Sequence, residues 1–242
     1  HLTPMLESNG WIVRKVLRMP PARPGEVYIP SIGSNTDWRD ALAGVNAVVH
    51  LAARVHHRDQ NQNAELYQDT NAEGTLNLAR HASDAGVRQF VFISTVLVNG
   101  RSSDGRHPYS ENDELRPRNN YAKSKAAAET GLAAMARDDG MRITVIRPPM
   151  VYGAGAKGSF RLLMRVIESG IPLPLAAVRN RRAFVSVQNL ASFILSRLSP
   201  TERNFDVFLV ADREQVSTPE FIRCLASAAG MRAHLFPMPT PL

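Results

Sequence analysis

The sequence predicts a doubly wound α/β fold, a parallel sheet with helices on both faces, accompanied by a smaller C-terminal lobe. Three observations lead there. Apolar runs at 47–53, 89–95 and 142–147 are nearly continuous rather than alternating, the pattern of strands covered on both faces. Long stretches of helix-forming residues at 65–85 and 121–139 separate them, each stopped by a glycine, Gly86 and Gly140. Strand and helix therefore alternate, which is the order of βαβ units.

Each element has a local reason. Leu2, Met5 and Leu6 have helical spacing and Gly10 supplies a stop, so the chain opens on the last turns of a helix. Residues 11–18 read as a strand, broken by Pro20, Pro21, Pro24 and Gly25, and an extended piece at 26–29 follows. A helical turn is expected at 38–42 and a buried strand at 47–53. The helix at 65–85 places Leu66, Leu76, Leu78 and Ala79 on its apolar side. A strand at 89–95, a polar loop at 99–118, a helix from Tyr121 and a strand at 142–147 complete the sheet. After Pro148 the alternation loosens: helices at 160–170, 188–198 and 218–230, the last capped by Ser217 or Thr218, and short strands at 183–187 and 205–211. These readings divide the chain into a doubly wound region at 1–150 and a smaller substrate lobe at 151–242, interleaved with the first.

With 242 residues, 44% hydrophobic and 21% charged, the chain has ample material for one large core. No apolar run approaches the length of a membrane span and no charged-then-apolar leader opens the chain, so a cytoplasmic protein without membrane contact is expected. A single cysteine, Cys224, excludes an internal disulfide and reads as a small buried apolar residue. The net charge of +7 is spread along the chain, which argues against nucleic acid and for a ligand bearing a diphosphate. His56 and His57 are adjacent, point apart and have no ligand cluster around them, so no metal site is expected.

The chemistry concentrates at Tyr121 and Lys125. An i,i+4 pair shares one helix face, and an ammonium there lowers the pKa of a neighbouring phenol, which can then exchange protons near neutral pH. Ser94 and Thr95 end the strand at 89–95. Ligands of doubly wound folds bind beyond the carboxyl ends of the strands, where Ala52, Ala53, Ser94, Thr95 and Pro148 all fall.

Six blocks then appear in order: His50-Leu51-Ala52-Ala53, Asn71-Ala72-Glu73-Gly74-Thr75-Leu76-Asn77-Leu78, Phe92-Ile93-Ser94-Thr95, Tyr121-Ala122-Lys123-Ser124-Lys125, Arg147-Pro148-Pro149-Met150-Val151-Tyr152-Gly153 and Arg181-Arg182-Ala183-Phe184-Val185. Together they resemble the extended short-chain dehydrogenase/reductase family, in particular its nucleotide-sugar epimerases and dehydratases, with a Rossmann-like fold. The resemblance implies that Tyr121 is the acid/base, that Lys125 lowers its pKa and holds the nicotinamide ribose, and that Thr95 holds the reacting hydroxyl or carbonyl, with Ser94 as the alternative. It implies a cofactor, NAD or NADP, lined by Leu51, Ala52, Ala53, Ser94, Tyr121, Lys125 and Pro148. It implies a UDP-sugar held by Thr95, Lys157, Ser159 and Arg182, with Arg181 as the alternative to Arg182 at the diphosphate, and Asn71 as a structural tie. A homodimer through helices that include the Tyr121 helix is a further expectation.

The family's glycine-rich loop belongs between a first strand and first helix that this sequence does not contain. In the strand order 3-2-1-4-5-6 that strand is central, so roughly 15 to 25 further N-terminal residues are expected in the natural protein. Arg18, near the end of the strand that selects the cofactor, leans toward NADP, while epimerases of the family commonly hold NAD. Val96 and Leu97 stand where dehydratases of the family place Asp-Glu, which argues against dehydration. A UDP-sugar 4-epimerase working through a 4-keto intermediate is the expectation. The alternatives are a reductase of a 4-keto-6-deoxy nucleotide sugar and a non-catalytic dinucleotide sensor.

Overall fold

The computed structural model describes residues 1–21, 23–55, 63–136, 140–155, 159–199 and 203–238. The chain forms two compact units, residues 1–148 with 190–210, and residues 149–189 with 211–242.

The first unit is built on β3 (Ala47–His50), β4 (Gln89–Ile93), β5 (Arg142–Arg147) and β8 (Phe205–Leu209), all parallel, in the order β3-β4-β5-β8. His50 pairs with Phe92, Phe92 with Val145 and Val145 with Val207, so the strands run in step and their carboxyl ends share one edge. β4 is buried along Gln89–Phe92 and β5 from Ile143 to Arg147, as the continuous apolar runs predict. β3 departs from that prediction: it ends at His50, its first three residues are only half-buried, and Leu51 and Ala52 are exposed. Residues of β3 line a cavity of about 850 Å³ together with Val13, Val16 and Leu17. The last two belong to β1 (Lys15–Leu17), which is shorter than the strand predicted at 11–18 and pairs in parallel with β2 (Glu26–Tyr28).

Helices α1 (Leu2–Ser8), α2 (Arg39–Leu42), α3 (Ala64–Tyr67), α4 (Gly74–Asp84), α5 (Asn120–Met135) and most of α7 (Val187–Arg197) belong to this unit. The helix predicted at 65–85 is interrupted by a π turn, Gln68–Glu73, between α3 and α4. The wider turn rotates the preceding face by one residue. Leu66, predicted on the apolar side, is therefore 45% exposed, and Tyr67 takes the buried place. Leu76, Leu78 and Ala79 face the core as expected.

α5 packs closely on its neighbours because its inner face is small: Ala122 and Ala128 are fully buried, and a Cβ on Gly131 would lie 2.6 Å from the Leu76 side chain. Leu132 is the large apolar anchor of this face, fully buried against β4, β5 and α4. Leu132→Ala should cost about 2–5 kcal/mol of stability through the cavity it leaves, measured by denaturant unfolding.

The second unit holds β6 (Met150–Tyr152) and β7 (Phe184–Ser186), a parallel pair, with α6 (Ser159–Glu168) and α8 (Thr218–Ala228). β6 is not a strand that the sequence predicts. Ser217 caps α8 with the reciprocal Glu220 bond, so Ser217 and not Thr218 is the cap. Phe221, Ile222 and Ala226 form the buried face of α8, which leaves Cys224 exposed rather than buried as predicted. Within this unit Asp212 accepts hydrogen bonds from the Tyr152 hydroxyl (2.8 Å), Ser186 N (3.1 Å) and Asn189 Nδ2 (2.7 Å). Among the described residues no helix is long and apolar enough to cross a membrane.

Candidate active site

The register brings the segments after β3, β4 and β5 to one edge of the sheet. Beyond β4, Thr95 is extended and caps a short 3-10 turn, Val96–Val98, its Oγ1 accepting from Leu97 N at 3.3 Å. Its hydroxyl proton is left to donate elsewhere. Val96 N donates to Pro148 O at 3.0 Å, which fastens the end of β5 to this turn.

α5 begins beside this edge. Asn119 caps it, accepting from Ala122 N at 2.7 Å, so Tyr121 lies in the first turn and Lys125 one turn further. Tyr121 is half-buried and Lys125 is 1% exposed. The Lys125 ammonium donates to Ile93 O at 2.8 Å, one residue past the last β3–β4 pair, and stands 4.3 Å from the centroid of the Phe92 ring. That bond uses one of three N–H donors. Burial lowers the Lys125 pKa to about 7, with the Glu129 carboxylate pulling the other way. Burial also pushes the Tyr121 phenol up to about 12. The depression of the phenol expected from i,i+4 spacing is not seen: burial alone moves the phenol, and the Lys125 ammonium is engaged with Ile93 O.

Polar ties hold this helix in place. Asn71, in the π turn, accepts from Arg54 N (2.7 Å) and donates to Arg54 O (3.0 Å) and to Ser124 Oγ (3.0 Å). Ser124 in turn donates to Tyr121 O at 2.9 Å. Asn71 therefore links the segment after β3 to α5. His50, just before the residues expected to line the cofactor, is buried, its Nε2 3.0 Å from Thr75 Oγ1. Thr75 gives its own proton to Asn71 O, so the histidine is the donor of that pair. Burial and the nearby Lys125 lower the His50 pKa to about 3, and the ring stays neutral.

A second network escapes sequence reasoning. Glu129, one turn beyond Lys125, receives Arg147 Nε (3.0 Å) and Nη2 (2.6 Å) on Oε2 and the Ser94 hydroxyl on Oε1. Arg147 Nη1 reaches Asn99 Oδ1 and Glu111 O, each at 3.3 Å. All of Ser94, Asn99, Glu129 and Arg147 are buried. Ser94 thus directs its hydroxyl into the protein while Thr95 keeps its own available. The spacing of Glu129 four residues after Lys125 was the signal for it; its partner lies 18 positions further on and has no local mark.

Of the residues predicted for the substrate, Thr95 belongs to the first unit, and Ser159 and Arg182 to the second. Arg182 is exposed, its guanidinium 5.6 Å from the centroid of the Phe184 ring, and its backbone pairs with Val216. Lys157 lies outside the described residues, as do His56 and His57. Among the described residues, no group of three His, Cys, Asp or Glu is arranged to hold a metal ion. The spacing G-x-G-x-x-G does occur, from Gly153 to Gly158, between β6 and α6. It follows a strand of the two-stranded sheet and not of the four-stranded one, and residues 156–158 lie outside those described, so spacing alone assigns it nothing.

The donors present fit a dinucleotide on the nicotinamide side. A buried ammonium with unused N–H groups and a phenol stand next to a strand end whose following residues, Ala52 and Ala53, are small enough for a ligand to approach the backbone.

A family model described as the NAD dependent epimerase/dehydratase family matches residues 1–211. The UDP-glucose 4-epimerase of Vibrio cholerae is 40% identical over 215 residues, covering 87% of this chain and 65% of that enzyme. The N-acetyl-alpha-D-glucosaminyl-diphospho-ditrans,octacis-undecaprenol 4-epimerase of Escherichia coli O157:H7 is 29% identical over 223 residues, covering 89% and 66%. The chain spans about two thirds of the length of both. The structure of MoeE5 in complex with UDP-glucuronic acid and NAD matches with a TM-score of 0.81 at 28% identity, over 98% of this chain and 81% of that one.

Proposed function

We propose that this chain, which belongs to the NAD dependent epimerase/dehydratase family, carries the catalytic residues of a nucleotide-sugar 4-epimerase that acts on a UDP-sugar through a 4-keto intermediate. The observation that carries the reading is the buried Lys125 ammonium, one helical turn from the Tyr121 phenol and bonded to the strand that delivers Thr95. The similarity to a UDP-glucose 4-epimerase supports the substrate class, and MoeE5 supports NAD as the cofactor.

NAD, when bound, supplies the acceptor and donor of a hydride. The residues of the chain handle the proton and the oxygen. Tyr121 takes the proton of the reacting hydroxyl and returns it after the sugar has turned. Thr95 donates to the same oxygen, offsetting charge where it develops. Lys125 holds ribose hydroxyls with its unused donors and favours the phenolate. Asn71 keeps α5 in register with the segment after β3. Arg182 takes the diphosphate, for which a guanidinium fork is well shaped, with Lys157 and Ser159 on the sugar side. Homodimerisation belongs to the same reading.

The test is a screen of the full-length protein with UDP-glucose, UDP-N-acetylglucosamine and a 4-keto nucleotide sugar, following products together with NADH and NADPH oxidation. Interconversion of 4-epimers without cofactor consumption is expected. Stoichiometric consumption would instead make the enzyme a reductase. Binding without conversion of any sugar would leave a dinucleotide sensor.

A further inference from the structure

Glu129 and Arg147 form a buried pair at the ligand edge of the sheet, away from the middle of the core. Their side chains are 4% and 5% exposed, and two guanidinium nitrogens face one carboxylate. Removing two charges from water is expensive, and apolar side chains of similar volume fill such a place equally well in stability. What apolar groups cannot do is join four segments at fixed hydrogen-bond lengths. Glu129 stands on α5, one turn after Lys125; Arg147 ends β5, next to Pro148; Ser94 ends β4, next to Thr95; Asn99 and Glu111 belong to the loop that leads into α5. Asn99 extends the link by donating to Ser110 O at 3.0 Å. The loop is joined to the Thr95 turn a second time, where Arg116 N donates to Val98 O at 2.8 Å.

Resting on the epimerase reading, we infer that Glu129 and Arg147 are positioning residues, which fix the Ser94–Thr95 strand end against α5 and so set the Thr95 hydroxyl relative to Tyr121 and Lys125. Neither residue need touch substrate. Their contribution is to geometry, where an error of about 1 Å in a reacting group costs on the order of 100-fold.

The experiment compares the full-length parent with Glu129→Gln, Ser94→Ala and the double variant Glu129→Gln/Arg147→Met. Glu129→Gln leaves Arg147 buried without its counter-charge, and its melting temperature falls. The double variant removes both charges and melts closer to the parent. A purely structural pair predicts that kcat recovers with stability. Positioning predicts that kcat of the double variant stays at least about tenfold down, with KM within about threefold. It also predicts faster amide exchange at Val96, Leu97, Val98 and Arg116, with the centre of β4 unchanged. A folded double variant with kcat within twofold of the parent and unchanged exchange overturns the inference. If the double variant does not fold, Ser94→Ala decides, since it cuts only the link to β4: faster exchange at Val96 to Val98 supports positioning and unchanged exchange overturns it. A parent inactive on every nucleotide sugar refutes the epimerase reading, and the exchange comparison still decides the positioning role.

Discussion

Tyr121→Phe is expected to fold like the parent, bind a UDP-sugar within about threefold of its affinity, and lose about 10²- to 10⁴-fold in kcat, the range for removing a general acid/base. The substitution deletes one oxygen and keeps the ring that half-buries itself at the start of α5. No protein hydrogen bond to that oxygen holds the fold together among the described residues, and the phenol responds to burial alone. Loss of turnover therefore reports chemistry and not collapse. With the phenol pushed up to about 12, the oxygen carries its proton at neutral pH. Action as a base requires the phenolate, so kcat should rise with pH along a limb that Tyr121 sets, and that limb should vanish in the Phe variant. Turnover that survives Tyr121→Phe would remove the mechanism proposed here.

What the sequence disclosed and what it concealed divide along the range of the forces. β5 matches its predicted bounds because four consecutive β-branched residues, Ile143 to Ile146, flanked by Arg142 and Arg147 between Met141 and Pro148, need no distant partner to be read as a strand. The start of α5 was legible too, and the cap of α8 was narrowed to Ser217 or Thr218, since capping and helix propensity act within four residues. The π turn was not, because it exists to bring Asn71 to Arg54 and Ser124, partners 17 and 53 positions away. That turn then moved Leu66 out and Tyr67 in. Cys224 was assigned to the wrong face of α8 for a simpler reason: the buried stripe runs through Phe221, Ile222 and Ala226, and one residue of phase separates inside from outside.

The candidate site divides in the same way. Tyr121 and Lys125 announced themselves by spacing, and Thr95 by its place at a strand end. The direction of the Tyr121 shift was misread because spacing describes the charge nearby and burial describes the solvent removed, and only the folded chain has the second. The Glu129–Arg147 pair was invisible for a related reason. A glutamate on a helix and an arginine closing a strand each look like solvated charges until the sheet brings both inside.

Lys125→Met is expected to separate stability from function. In the unfolded chain this amine titrates near 10.5, whereas burial brings it to about 7 in the folded state. Below pH 7 both states hold the proton, and the native state bears the whole cost of an interior cation. From about 7 to 10.5 the unfolded chain still binds the proton while the folded one has released it, so through this residue the protein gains stability as pH rises across that window. A methionine of similar length has no such dependence, and the loss of the Ile93 hydrogen bond weighs at every pH. The stability of the variant minus that of the parent should therefore be greater at pH 6 than at pH 10, by on the order of a few kcal/mol, in denaturant melts at the two values. His50, neutral in the folded state across that range, does not confuse the comparison, since parent and variant both carry it. At the same time kcat should fall at least about 100-fold, because the ribose donors and the positive charge that favours the phenolate are gone. A difference that stays flat with pH would mean that Lys125 is not the buried cation described here. Turnover retained in the variant would mean that the cation is not there for catalysis. The combination of stability gained at low pH and chemistry lost is the signature of a charge kept inside the protein for what it does to a ligand.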